Sequence, residues 1–259
     1  MELKESLPPL VPGKLAAILN GIPKAALAFS GGADSSYLLY AAMNCHVDVC
    51  AYYVNSQFQP QFELDDARRL AGELQARLKE ISLDILSNPI VAANPADRCY
   101  HCKRVLLGAI IKQANDDGYS TLMDGSNASD DAEDRPGMRA LQEFGVRSLL
   151  REAGLSKEDV RIYSRGAGLF TWDKPAYACL ATRIPAGEPI TPEIVYKIEK
   201  AETILFQMGF SDFRARILSR AVKLQLPASQ LPQAARRHME LTKALSPLFS
   251  DVLLDLTPR

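Results

Sequence analysis

Charge of one sign is what this sequence most conspicuously lacks. Its 259 residues carry 30 Lys and Arg against 31 Asp and Glu, a formal net charge of −1 at pH 7. A chain so balanced presents no global basic field, which argues against duplex nucleic acid as its main partner. No apolar run reaches the roughly 18 residues of a membrane-spanning helix, and Met1-Glu2-Leu3-Lys4-Glu5 has no signal-peptide pattern. A soluble, cytoplasmic protein with no membrane partner is expected. Cysteine is scarce, with five in the chain. In a reducing compartment these read as core residues, metal ligands or reactive thiols rather than disulfides. A chain this long buries enough apolar surface to fold without such staples. No internal repeat or low-complexity tract is present.

What is there is organised around Phe29-Ser30-Gly31-Gly32-Ala33-Asp34-Ser35-Ser36. It follows the apolar run Ala25-Ala26-Leu27-Ala28 and leads into Tyr37-Leu38-Leu39-Tyr40, so it reads as strand, glycine turn and helix start. Two adjacent glycines allow close backbone approach and positive φ. The helix start offers free N–H groups and the positive end of the dipole, a setting for phosphate. The Walker loop is excluded, because its lysine is missing. The stretch resembles the PP-loop of the ATP pyrophosphatases, S-G-G-x-D-S. That resemblance implies that the backbone of Ser30 to Ser35 holds the pyrophosphate of ATP, that Ser30, Gly31, Gly32, Asp34, Ser35 and Ser36 are ATP-binding residues, and that Asp34 helps to place Mg2+.

Strand signals recur at 46–54 and 79–86, with a helical pattern over about 62–78 between them. Strand alternating with helix predicts an α/β parallel sheet. Ligands bind at the carboxyl ends of strands in such sheets, which adds Ser56 and, after the strand at 120–123, Gly125 and Asn127 as candidate ATP-binding residues. Helical patterns follow at 105–115, 138–144, 147–153 and 157–165. Residues 166–187, with the only Trp, read as an irregular segment closing over a site. Then come a strong helix at 192–208, strands at 213–218 and 222–226, a helix at 231–245 and a strand at 251–256. The expected domains are 1–187, of parallel-sheet type, and a small α+β C-terminal domain, 188–259.

Cys99 and Cys102 form a C-x-x-C pair, and Cys179 lies far downstream in Pro175-Ala176-Tyr177-Ala178-Cys179-Leu180. Cys45 and Cys50 sit in apolar surroundings and read as core. The pair alone is compatible with a redox dithiol, part of a zinc site, part of an iron–sulfur site, or two incidental thiols.

Taken together, Ser30-Gly31-Gly32-Ala33-Asp34-Ser35, Arg98-Cys99-Tyr100-His101-Cys102-Lys103, Asp124-Gly125-Ser126-Asn127, Arg135-Pro136-Gly137, Trp172-Asp173-Lys174-Pro175 and Cys179-Leu180-Ala181-Thr182-Arg183-Ile184-Pro185 resemble the LarE family over nearly the whole chain. The resemblance implies an adenine nucleotide alpha hydrolase-like fold. It also implies ATP-dependent sulfur insertion into a pyridinium biscarboxylate mononucleotide, for the nickel-pincer nucleotide cofactor. By the same resemblance Cys99, Cys102 and Cys179 fit the branch that holds a 4Fe–4S cluster, with Cys179 also a catalytic candidate. Asp34 and Arg183 are its other catalytic candidates. Arg214 and Arg216 would hold the substrate phosphate, with Glu202 and Lys103 nearby in role. A sulfur donor and a homo-oligomer are the implied partners. The family usually has Glu where this chain has Gln225, so the exact substrate could differ.

Other readings are a PP-loop tRNA thiolation enzyme and a regulatory protein that binds ATP or AMP without turnover. The neutral charge and the absence of an aromatic-interleaved basic surface weigh against the first. The second leaves the Cys179 segment and the Arg214/Arg216 pair without a purpose.

Overall fold

A computed structural model describes residues 10–130 and 136–259. Met1 to Glu5 and the motif residues Asp131, Asp134 and Arg135 lie outside the described residues. The chain runs α1 (Gly13–Asn20), β1 (Lys24–Ala28), α2 (Ala33–Asn44), β2 (Asp48–Asn55), α3 (Gln61–Leu74), β3 (Arg77–Ser82), α4 (Pro89–Ala92) and α5 (Arg98–Asp116). It continues with β4 (Leu122–Asp124), α6 (Pro136–Glu143), α7 (Leu149–Glu152), α8 (Lys157–Gly166), α9 (Pro192–Gln207), β5 (Arg214–Leu218), β6 (Ala221–Gln225), α10 (Leu231–Arg236), α11 (His238–Leu245) and β7 (Asp251–Leu254). Two compact units result. The first comprises Met1–Ser56, Gln61–Leu83 and Cys99–Ala176; the second comprises Gln57–Pro60, Asp84–Arg98 and Tyr177–Arg259.

The first unit holds a parallel sheet in the order β3-β2-β1-β4. Its central strands are buried on both faces, as the near-continuous apolar runs Ala25-Ala26-Leu27 and Val49-Cys50-Ala51-Tyr52-Tyr53 demand. One face packs Leu27 and Val49 with Leu38 and Leu39 of α2 and Leu64 and Leu70 of α3. The other packs Ala26, Tyr52 and Leu122 with Leu107 and Ile110 of α5. Ala28, the last residue of β1, lies in register with Tyr52 on one side and Asp124 on the other. The chain leaves β1 toward β2 and later returns to its opposite side as β4. The carboxyl ends of β1 and β4 therefore flank the switch point of the sheet, where this architecture places ligands.

The second unit carries a three-stranded sheet, β5-β6-β7, antiparallel between β5 and β6 and parallel between β6 and β7. Thr191 caps α9 by accepting from Ile194 N–H at 3.3 Å, with Pro192 in the first turn. The helix buries Val195, Ile198, Ala201, Glu202 and Leu205.

Three local expectations need correction. The helix expected over 62–78 ends at Leu74, because Gln75 adopts φ +54 and Ala76 N–H closes on Ala71 C=O at 2.8 Å. The helix expected from 105 begins at Arg98, so the C-x-x-C pair is part of it. The single helix expected over 231–245 is broken at Arg237, whose guanidinium donates back to Met208 C=O at 2.6 Å.

Candidate functional site

The loop from β1 to α2 is shaped by its two glycines. Gly31 has φ +69, and a Cβ there would lie 3.2 Å from Glu63 C=O and 3.3 Å from Ala67 Cβ, so the loop lies directly on α3. Gly32 is the extended N-cap of α2 and supplies no side-chain cap. The first-turn N–H groups of α2 thus keep the unpaired, electropositive character of a helix start. Ser35 Oγ donates to Gly32 C=O at 3.2 Å and lies 3.1 Å from Ser30 Oγ, tying the turn together.

Gly125, just past β4, closes the other side. A Cβ at Gly125 would stand 2.7 Å from Ser35 N and 3.0 Å from Ser35 Cα, so only glycine lets the two strand ends meet. Two residues on, the buried Asn127 donates its Nδ2 to Asp34 Oδ1 at 3.3 Å, and Lys157 Nζ pairs with Asp34 Oδ2. Arg151 supports this loop by donating Nε to Asn127 C=O at 3.3 Å. Asp124, also buried, accepts from Ser126 Oγ at 2.6 Å and Ser148 Oγ at 2.7 Å. Lys174 Nζ reaches Gly31 C=O at 3.4 Å and Asp66 at 2.8 Å.

Ser30, Gly31, Gly32, Asp34, Ser35, Gly125 and Asn127 are therefore gathered at one strand-end crevice. Ser36 is fully buried in α2, its hydroxyl has no hydrogen-bond partner among the described residues, and its N–H donates to Gly32 C=O at 3.0 Å. Ser56, buried, follows the carboxyl end of β2. Sequence reasoning did not single out Lys157, Lys174 or Arg151 as site residues. Of the three, only Lys174 fell within a quoted motif, while nothing local to Lys157 reports its partner.

Cys99 and Cys102 lie three residues apart in the first turn of α5, close to one face; Cys99 is exposed and Cys102 buried. Lys103, half-buried beside them, lays its aliphatic stem over Gly137, its Cδ 3.4 Å from where a Cβ would be. Tyr100 anchors the same turn by donating its hydroxyl to Glu143 at 2.7 Å beneath the Arg139 guanidinium, which lies 3.6 Å from the ring.

In the second unit, Cys179 caps the 3-10 turn Leu180–Arg183 and accepts from Arg98 Nη1 at 3.7 Å. Arg183 is turned inward and is 1% exposed. Its Nε and Nη2 grip Glu202 Oε1 and Oε2 at 2.7 and 3.1 Å, and its Nη1 donates to Ala178 C=O at 3.0 Å. Glu202 also accepts from the Tyr177 hydroxyl and, at 3.0 Å, from Ala215 N–H of β5. Burial is the largest single influence and opposes the charge on Arg183, but the hydrogen bond to Glu202 together with the negative charge of Glu202, Tyr177 and Cys179 raises the guanidinium pKa overall. Arg214, 6% exposed, has its pKa lowered by burial and by the like charge of Arg183. Arg214 also donates Nη1 to Phe213 C=O at 2.7 Å. The next residue on that strand face, Arg216, is exposed and donates to Thr182 C=O at 3.0 Å and to Gln225 Oε1. Gln225 in turn donates to Asp255 at 3.0 Å.

Among the described residues, no three His, Cys, Asp or Glu side chains gather as a metal site. Cys99 and Cys102 belong to the first unit and Cys179 to the second. No helix among the described residues is long and apolar enough to cross a membrane.

No protein-family model matches the chain. It is 35% identical over 214 residues to an uncharacterized protein of Synechocystis sp., covering 82% of this chain and 80% of that one. It is 29% identical over 182 residues to an uncharacterized protein of Methanocaldococcus jannaschii, covering 70% and 69%. To the pyridinium-3,5-bisthiocarboxylic acid mononucleotide synthase of Lactiplantibacillus plantarum it is 32% identical over 245 residues, covering 93% of this chain and 89% of that protein. Identity at that level over nearly the full length of both chains, on a parallel-sheet fold with its glycine turn at the switch point, means that this protein belongs to the LarE family of sulfur-transferring synthases.

Proposed function

We propose that the protein uses ATP to insert sulfur into a pyridinium biscarboxylate mononucleotide, as a step toward the nickel-pincer nucleotide cofactor. The observation that carries the ATP reading is the convergence of Gly31, Gly32, Asp34, Gly125 and Asn127 on the uncapped start of α2. A carboxylate is a poor acyl electrophile, because its leaving group would be oxide. Attack of a carboxylate oxygen on the α-phosphorus of ATP forms an acyl–phosphate bond and breaks the bond to pyrophosphate. The loop N–H groups oppose the charge that develops on that leaving group. A sulfur nucleophile then adds to the acyl carbon, AMP departs with the carboxylate oxygen, and a thiocarboxylate remains.

Within this scheme Asp34 carries Mg2+. Arg214 and Arg216, alternate residues on one face of β5, hold the substrate phosphate, a task that suits the bidentate guanidinium. Arg183 and Glu202 hold the turn that carries Cys179, and Lys103 adds a cation on α5. Cys99, Cys102 and Cys179 are assigned as ligands of a 4Fe–4S cluster. The donor set is suited to it: three soft thiols, two of them on one helical turn. When bound, such a cluster supplies an iron able to carry an exchangeable sulfide. Iron and acid-labile sulfide in the anaerobically purified protein test that assignment. The function is tested by incubating it with ATP and the mononucleotide. Thiocarboxylate product with matching AMP and pyrophosphate is expected, and ATP consumption indifferent to the mononucleotide would overturn it.

A further inference from the structure

We propose that Asp255 and Gln225 are positioning residues that act through Arg216, fixing its guanidinium at full charge for the phosphate of the mononucleotide. The proposal rests on the reading of Arg216 as a substrate-phosphate residue. Its ground is a chain of side chains on one face of the small sheet, in which Asp255 holds Gln225 and Gln225 holds Arg216.

In the antiparallel register Arg214 lies opposite Gln225 and Arg216 opposite Lys223, so these four side chains share a face. The alternating residues Ala215, Ile217, Val222 and Leu224 are buried. Two cations directly opposed on a sheet repel each other. Asp255 relieves this by drawing Lys223 Nζ to its Oδ2 at 3.0 Å, and Arg216 turns instead to Gln225, its diagonal neighbour. A guanidinium can only donate and a carboxylate can only accept. The Gln225 amide between them is therefore satisfied in one orientation, Oε1 toward Arg216 and Nε2 toward Asp255 at 3.0 Å. Asp255 is itself anchored: it accepts from Thr257 N–H at 3.1 Å, and its own N–H donates to Leu224 C=O at 2.9 Å.

Both partners of Arg216 are neutral. It donates Nε to Gln225 and Nη1 to Thr182 C=O at 3.0 Å, and no carboxylate meets it among the described residues. Arg183 has the opposite character, its charge being matched by Glu202. Arg216 is thus oriented without being neutralised. A cation held in place beforehand loses less side-chain freedom when an anion arrives.

Calorimetric titration with the mononucleotide and with its dephosphorylated nucleoside tests the proposal in wild type, Arg216→Ala, Gln225→Glu, Asp255→Asn and the Arg216→Ala/Asp255→Asn double variant. Gln225→Glu sets a carboxylate against the guanidinium and should weaken mononucleotide binding about tenfold or more. Asp255→Asn frees the amide and should weaken it about three- to thirtyfold, within the range for coupled neighbours. Neither variant should change nucleoside affinity more than about twofold, below that range. In the Arg216→Ala background, Asp255→Asn should produce no further loss, because the residue through which it acts is gone. Gln225→Glu carries the test if Asp255→Asn folds poorly. Unchanged mononucleotide affinity, equal weakening of both ligands, or a full additional loss in the double variant would each overturn the proposal. If Arg216→Ala itself binds the mononucleotide as wild type does, the phosphate reading of Arg216 fails, and the positioning role with it.

Discussion

Glu202 and Arg183 meet through two parallel hydrogen bonds of 2.7 and 3.1 Å inside the second unit, where both are almost completely buried. The pair joins α9 to the turn that Cys179 caps, and through Ala215 N–H it also holds β5. Removing one partner leaves an uncompensated charge in the interior, a cost of about 3–5 kcal/mol. Glu202→Ala should therefore lower the free energy of denaturant unfolding by about that amount. A loss below about 1 kcal/mol, the scale of an exposed pair, would contradict this role. Arg216→Ala, at an exposed position, should leave stability within about 0.5 kcal/mol while raising the mononucleotide concentration needed for turnover.

Gly125→Ala tests the closure between the strand ends. The added methyl would meet backbone atoms of Ser35 and Asp34 at 2.7 to 3.2 Å, and no flexible side chain is there to yield. Overpacking of this kind costs about 1–3 kcal/mol. Expressed as a displaced loop, it should weaken ATP binding roughly ten- to a hundredfold. Unchanged ATP affinity in the folded variant would contradict the tight apposition.

Activation and sulfur delivery are assigned to different segments, so they should separate genetically. Asp34→Asn should abolish pyrophosphate release. Cys179→Ala should retain pyrophosphate release in a single turnover and lose thiocarboxylate formation, as judged by mass spectrometry. Equal loss of both steps in the Cys179 variant would count against the division.

Asp255 predicts a measurable acid response. Hydrogen bonds from Gln225, Lys223 and Thr257 N–H hold its carboxyl at about 2, below the ordinary value of about 3.9. A carboxyl depressed in the folded state stabilises it above the ordinary pKa. That contribution is lost as pH falls through about 4 toward 2. Urea midpoints measured from pH 5 to pH 2 should drop more steeply for the wild type than for Asp255→Asn. Gln225→Glu replaces a donor by a like charge and should move the carboxyl back toward its ordinary range. Identical pH profiles for all three proteins would refute the arrangement.

Much of the fold was legible because its signals are local. The apolar runs at Ala25–Leu27 and Val49–Tyr53 could only be strands buried on both faces, and the glycine turn between strand and helix announced the crevice. Nothing local announces that Glu202 is buried against Arg183, because a helix periodicity reports a face and not what packs against it, and Arg183 comes from a separate turn. Lys157 escaped notice for the same reason, since it meets Asp34 only through the tertiary fold. The break at Arg237 and the reversal at Gln75 were missed because neither position holds the Gly or Pro that usually marks such a site. Segments 57–60 and 84–98 cluster with the second unit through contacts distant in sequence, such as Asn94 Nδ2 to Pro185 C=O at 2.8 Å.

The fate of the carboxylate oxygen tests the central claim most directly. If the substrate carboxylate attacks ATP and sulfur later displaces AMP, a mononucleotide labelled with heavy oxygen in its carboxylates must pass one labelled atom to the phosphoryl group of AMP for each sulfur inserted. The account predicts label in AMP and none in pyrophosphate. Unlabelled AMP formed alongside thiocarboxylate product would contradict it.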